Sequence, residues 1–110
     1  MKAIVQIDAG ICGFQTTARV TGDDDQAVTV DVQSDCQKIS QLGEQLKAQG
    51  AIDAYQEISP ASDSVIMQMA RSVLKGCCAG CVVPVGLFKG MQVAAGLALP
   101  KDIRITLAKE

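Results

Sequence analysis

Residues 28–46 read VTVDVQSDCQKISQLGEQL, and the hydrophobic period changes in the middle of this stretch. In its first half, valines alternate with polar residues, which is the pattern of a strand with one buried face. In its second half, Ile39, Leu42 and Leu46 recur at helical spacing, and Ser34-Asp35 supplies the N-cap expected before a helix. A strand that leads directly into an amphipathic helix indicates a fold of mixed class.

The same alternation occurs twice before this stretch and once after it. Residues 2–8 and 14–20 alternate apolar and polar side chains, and the polar run 21–26 predicts a turn between the second and third strands. After Pro100, residues 103–107 alternate again. Three strands are therefore predicted before the first helix, and a last strand at the C-terminal end.

Two more helices are predicted between residue 60 and Pro100. The first opens at Ser62-Asp63, has apolar residues at helical spacing and ends at Gly76, while the second begins near Pro84 and is apolar on nearly every side. Residues 51–59 show no clear period, so no element is predicted there. The order β-β-β-α-α-α-β predicts an α+β fold.

We expect a mostly antiparallel sheet of about four strands with helices packed on one face, in a single domain covering residues 1–110. The side chains expected in its core are those of Val5, Ile7, Val28, Val30, Val32, Ile39, Leu42, Leu46, Val73, Phe88, Met91, Ile103 and Ile105.

Composition excludes several classes of partner. The formal charge is −2 and only 3% of residues are aromatic, so nucleic acid is not expected as a partner. The start of the chain lacks the apolar core of a signal peptide, and charged, glycine and proline residues interrupt the apolar stretch 77–100. We therefore expect no membrane partner and a cytoplasmic location, in which the five cysteines stay reduced, bind metal or act in catalysis.

The direction of the chain predicts that the cysteines gather at one end of the domain. Cys12 follows the first strand and Cys36 follows the third, so in an antiparallel meander both lie at the same end of the sheet. The first helix leads away from this end and the second leads back to it, which brings residues 77–81 to the same place. Short, unknotted connections make such a count of directions reasonable. Residues 78–81 form a C-x-x-C pair, the spacing used by zinc sites, iron–sulfur ligands and dithiol redox sites.

The leading hypothesis is a metal centre, either tetrahedral zinc or an iron–sulfur cluster, bound by Cys12, Cys36, Cys78 and Cys81. Histidine is absent, so thiolates must supply the ligands. Cys77 is the spare cysteine, because Cys78 has the better spacing to Cys81, although the sequence does not decide between the two neighbours.

Two alternatives remain open. In the first, Cys81 is the reactive cysteine of a thiol redox or sulfur-carrier protein, with its thiolate favoured by a helix N-terminus, and a redox or sulfur-transfer protein is the expected partner. Cys36 is also expected to gain from a helix N-terminus. In the second, the chain is a structural or interaction domain, and its thiols are inert.

The cysteine motifs also carry a resemblance to a family. DAGICGFQT (8–16), SDC (34–36), CVVPVGLFK (81–89) and GLALP (96–100) resemble an uncharacterised family of small cysteine-bearing domains from anaerobic prokaryotes. The resemblance spans nearly the whole chain. It implies no activity, but it places Cys12, Cys36 and Cys81 in the characteristic motifs.

A second likeness is local to one helix start. Cys81, followed by Pro84 and later by Lys89, is similar to the Cys-Pro-x-Pro helix start of sulfur-carrier proteins, in which the cysteine carries a persulfide. Val82 stands where that motif has its first proline, and the order of strands and helices differs.

Overall fold

Three long strands form an antiparallel meander in the computed structural model, which describes residues 1–110. They are β1 (Lys2–Asp8), β2 (Gln15–Gly22) and β3 (Ala27–Ser34), and they lie in sequence order within the sheet. Because alternate residues point to opposite faces, the inward residues of these strands are buried or half-buried, while most outward ones are exposed. The three strands confirm the alternation predicted from the sequence.

Four α-helices and one 3₁₀ helix accompany the sheet. They are α1 (Gln37–Gln49), α2 (Ala54–Ile58), α3 (Val65–Val73), the 3₁₀ helix (Gly76–Gly80) and α4 (Val83–Ala94). On the inward face of the sheet, α1 packs against β3 and α4 packs against β1 and β2, whereas α3 contacts both of these helices. The α+β class, the antiparallel sheet and the single helical face are as predicted.

The C-terminal strand is absent, and a different segment supplies the fourth strand. Residues 101–110 form no regular element, and Ile103 and Ile105, expected in the core, are 54% and 64% exposed. The fourth strand is β4 (Ile52–Asp53), which pairs with Ala27 and Val28 at the edge beside β3. Alternation alone does not make a strand, because the backbone N–H and C=O groups also need a partner strand.

The rest of the expected core lies inside. Val28, Val30, Ile39, Leu42, Leu46, Met91 and Ile7 are buried, and Val5, Val32, Val73 and Phe88 are half-buried and packed against that cluster. Residues 51–59, to which the sequence assigned no element, contain β4 and α2. Neither is long enough to display a period, which explains why both were missed.

Helix α4 lies unusually close to β1 because glycines face that strand. A Cβ built on Gly86 would stand 2.5 Å from Cδ1 of Ile7, and one on Gly90 would overlap with Cγ2 of Val5. At the far end of α4, Gly22 of β2 meets the backbone of Ala94. The helix therefore runs from the level of Ile7 down to the start of β1.

The apolar stretch Gly76–Ala94 is long enough to cross a membrane by composition, with a mean hydropathy of 1.5. In the fold it is divided into the 3₁₀ helix and α4, which Cys81 and Val82 separate. Because α4 packs against two strands of the sheet, packing within the fold accounts for the apolar character of much of that helix.

Candidate functional site

All five cysteines lie at one end of the sheet. β1 and β3 point in the same direction, since both are antiparallel to β2, so Cys12 after β1 and Cys36 after β3 lie at the same end. Helix α4 starts at that end, near Ile7, and Cys81 immediately precedes its first turn. The 3₁₀ helix before it carries Cys77 and Cys78. We call this end the thiol end.

Cys12 lies in an exposed turn that is held by local hydrogen bonds and not by packing. The Asp8 carboxylate accepts the Gly10 N–H at 2.9 Å, and the Gly10 carbonyl accepts the Gly13 N–H at 2.9 Å. Both glycines have a positive φ, 89° and 74°, which residues other than glycine rarely adopt. Residues 10–14 are all exposed, so the turn presents the Cys12 thiol to solvent.

Cys36 is the N-cap residue of α1. The sequence placed that cap at Ser34-Asp35, one or two residues early, because Ser and Asp are the usual capping residues. Instead, Ser34 Oγ accepts the backbone N–H of Cys36 at 3.1 Å and lies 2.7 Å from Thr16 Oγ1. No side chain caps the first turn of α1, which leaves its N–H groups open beside the half-buried Cys36 thiol.

The three remaining cysteines lie on the short path from α3 to α4. Cys78 donates its backbone N–H to the Lys75 carbonyl at 3.3 Å, and Cys81 donates its own to the Cys78 carbonyl at 3.1 Å. Cys78 and Cys81 are half-buried and pack against the core, whereas Cys77 is exposed. Of the two neighbours Cys77 and Cys78, only Cys78 packs against the core.

The pKa of the Cys81 thiol is raised above its ordinary value. Burial is the largest cause; the backbone N–H of Val83 donates to the sulfur and acts in the opposite direction, while the nearby thiols of Cys36, Cys12 and Cys78 raise the pKa further by like charge. The start of α4 therefore favours the Cys81 thiolate in the predicted direction, through the Val83 N–H, but burial outweighs this effect and the net pKa is raised. The same electrostatic coupling indicates that these four thiols are near one another.

The five thiols form no disulfide and no ready-made metal site. All five cysteines are free, and no group of three or more cysteine or acidic side chains has the arrangement needed to hold a metal ion. In a tetrahedral zinc site with Zn–S bonds of about 2.3 Å, the sulfur atoms would be roughly 3.8 Å apart. Closing such a site at the thiol end would require the cysteine side chains to move closer together.

A cleft of about 180 Å³ lies beside Cys81, between α3 and α4. Most of its lining is apolar, with Met67, Ala70 and Leu74 on the α3 side, and Arg71 is its one cationic residue. The cleft therefore gives Cys81 a largely apolar flank. The sequence did not single out Arg71 as a lining residue of the cleft, because one arginine on a helix carries no signal by itself.

Comparison with known proteins identifies the family and nothing finer. A family of unknown function, DUF6951, matches residues 3–107. No curated protein and no solved structure matches the chain. Since the match covers nearly all of the sequence, the chain belongs to this uncharacterised family.

Proposed function

We propose that this protein is a cytoplasmic cysteine-cluster domain in which Cys12, Cys36, Cys78 and Cys81 bind a metal centre, either zinc or an iron–sulfur cluster. The proposal rests on one observation: cysteines from three distant parts of the chain lie together at the thiol end. Four thiolates are a complete ligand set for either kind of centre.

The electrostatics of the thiol end supports a cation more than a free thiolate. Burial is the main reason that the pKa of Cys81 is raised, and the neighbouring thiols of Cys36, Cys12 and Cys78 raise it further, because each added negative charge makes the next deprotonation harder. A metal ion reverses this balance, because it neutralises the thiolates and deprotonates coordinating thiols outright. Four neighbouring thiols therefore favour metal ligation over a permanently charged nucleophile.

The movement needed for ligation is confined to the surface. Cys12 belongs to the exposed turn at residues 10–14, and Cys78 lies in a 3₁₀ helix that begins at Gly76, which has a φ of 65°. Cys36 and Cys81 stay at the starts of α1 and α4. Ligation would therefore bring two adaptable segments onto two fixed ones, and the hydrophobic core would not need to rearrange.

The test is the metal content of protein purified without oxygen. We expect either a brown protein that contains iron and inorganic sulfide, or a colourless one with one zinc ion per chain. Protein that contains neither, and that takes up neither Zn²⁺ nor a cluster on reconstitution under reducing conditions, would overturn the proposal.

The cleft beside Cys81 favours a second candidate function, a thiol redox or sulfur-carrier protein that acts with a redox or sulfur-transfer partner. In that case Cys81 is the reactive cysteine and the apolar cleft receives part of the partner or substrate. Metal-free protein in which Cys81 alone reacts rapidly with a thiol probe would support this candidate. Metal-free protein without any reactive thiol would instead favour a structural or interaction domain.

A further inference from the structure

The C-terminal tail, residues 101–107, has the composition of a strand but no partner. Ile103, Ile105 and Leu107 alternate with polar residues and are 54%, 64% and 91% exposed. Such alternation is typical of a strand with one buried face. Three large aliphatic side chains within five residues form a run of exposed apolar surface that the fold of its own chain leaves uncovered.

β1 has a free edge, and the hydrogen bonds of the sheet show which of its residues form that edge. Met1 and Gly22 exchange both backbone hydrogen bonds, each at 2.8 Å, so the odd-numbered residues of β1 bond to β2. The even-numbered residues, including Ile4 and Gln6, therefore direct their N–H and C=O groups away from the sheet. β1 is the terminal strand and contains no proline or bulge that would block pairing.

Half-buried apolar side chains of α4 lie on the stripe of the helix that includes Gly86, which contacts β1. Val82, Gly86 and Val93 lie on one stripe of α4, at positions i, i+4 and i+11, and Gly86 sits directly over Ile7 of β1. Val82 and Val93 are only half-buried. A strand added beside β1 would place its inward side chains under this stripe.

We propose that the C-terminal tail of one chain adds to the free edge of β1 in a second copy, and that the exchange is reciprocal. Both segments are seven residues long, and the inward side chains of the tail would be Ile103, Ile105 and Leu107. The tail leaves α4 at the end where β1 begins, since Gly96 lies beside the Met1 side chain. A two-fold dimer pairs both tails and both edges at once, so no strand edge stays open beside β1.

The mass of the full-length protein in solution tests this proposal, measured by light scattering across a range of concentrations with reductant and chelator present. The reductant and chelator remove dimers that depend on disulfides or metal. We expect a dimer. A chain that stays monomeric at every concentration would overturn the proposal, including one in which hydrogen exchange shows the tail protected by its own β1.

Two matched pairs of variants locate the interface. I105K places a charge on the inward side of the tail and should yield a monomer, whereas T106K, on the outward side, should remain dimeric. I4P removes an N–H that only the free edge uses, so β1 keeps its bonds to β2 while the dimer is lost; I4T keeps that N–H and the dimer.

Removal of residues 101–110 should also yield a folded monomer, since the tail is exposed and carries no core side chain. This deletion does not depend on how well a proline is accommodated in β1. A dimer that persists after the deletion would contradict the assignment of the tail.

Discussion

Thr16 Oγ1 and Ser34 Oγ lie 2.7 Å apart on the inward side of the sheet, directly below the thiol end. The pair joins the start of β2 to the end of β3, and Ser34 Oγ also accepts the backbone N–H of Cys36. Thr16 is only 2% exposed. These two hydroxyls therefore fix the backbone from which the Cys36 thiol projects.

Ser34→Ala should lower the free energy of unfolding by about 1–2 kcal/mol, because it leaves the Thr16 hydroxyl and the Cys36 N–H without their partner. Chemical denaturation measures the loss. Ser72→Ala is the control, since Ser72 is exposed and its hydroxyl bonds only to Met69 O within its own helix. Equal effects of the two substitutions would contradict the role given to Ser34.

Glu57 is a buried carboxylate, 4% exposed, that caps the start of α3. It accepts the Ser64 hydroxyl at 2.8 Å and the N–H groups of Val65 and Ile66 at 2.6 and 3.0 Å. Glu57→Ala leaves these donors unsatisfied and should cost about 1.5–3 kcal/mol in the free energy of unfolding. Glu44→Ala on the exposed face of α1 should change it little; a comparable loss there would argue that charge alone matters.

Gly90→Ala should lower the free energy of unfolding by about 1–3 kcal/mol, because the new methyl group overlaps with Val5 and pushes α4 away from β1. The control is Gly80→Ala, where a Cβ meets nothing within 4 Å. Thermal and denaturant unfolding of both variants provide the comparison. A neutral Gly90→Ala would mean that α4 can shift at little cost.

Serine substitutions separate the metal centre from the carrier. If four thiolates close one coordination sphere, Ser at Cys12, Cys36, Cys78 or Cys81 should each reduce bound metal, and stability should fall with it because binding is coupled to folding. Cys77→Ser is the matched control and should retain the metal. In a carrier, Cys12 and Cys36 would be replaceable without loss, and only Cys81 would be required.

In metal-free protein, Cys81 should react with iodoacetamide more slowly when folded than when unfolded in urea. The raised pKa means that less of its thiol is ionised at a given pH in the folded state, and the thiolate is the reactive form. The pH at which its alkylation rate rises should therefore be higher in the folded chain than in the unfolded one. Peptide mass spectrometry resolves the individual sites, and rapid labelling of Cys81 at mildly acidic pH would contradict this expectation.

The sequence is sufficient for the elements that carry a long period. β1, β2 and β3 alternate over seven or eight residues, and α1 ends at Gly50 as predicted. It fails where an element is short or unpaired: β4 has two residues and α2 has five, whereas residues 103–107 alternate over a length typical of strands but do not pair within the chain. The period of a segment indicates which of its faces could be buried, but it does not show whether a neighbouring strand is available for pairing.

The direction of the chain was enough to locate the thiol end, because β1 and β3 had to run in parallel across β2. The electrostatics of Cys81 was not predictable in the same way. Its pKa depends on the balance between burial and the Val83 N–H, and the extent of burial depends on tertiary packing, which the residues around Cys81 in the sequence do not reveal. The roles of Ser34 and Glu57 likewise require knowledge of which backbone groups lack partners.

The close contact of α4 with β1 at Gly86 and Gly90 has a consequence for the strength of ligand capture at the thiol end. This contact holds the start of α4, and with it Cys81, in place. The exposed turn around Cys12, in contrast, must lose conformational entropy when it closes on the metal. In the proposed centre, the affinity for the metal therefore depends on how much conformational entropy this turn loses. Stiffening the turn would preorganise the site and tighten binding without touching the core, so natural variation in affinity should concentrate in residues 10–14.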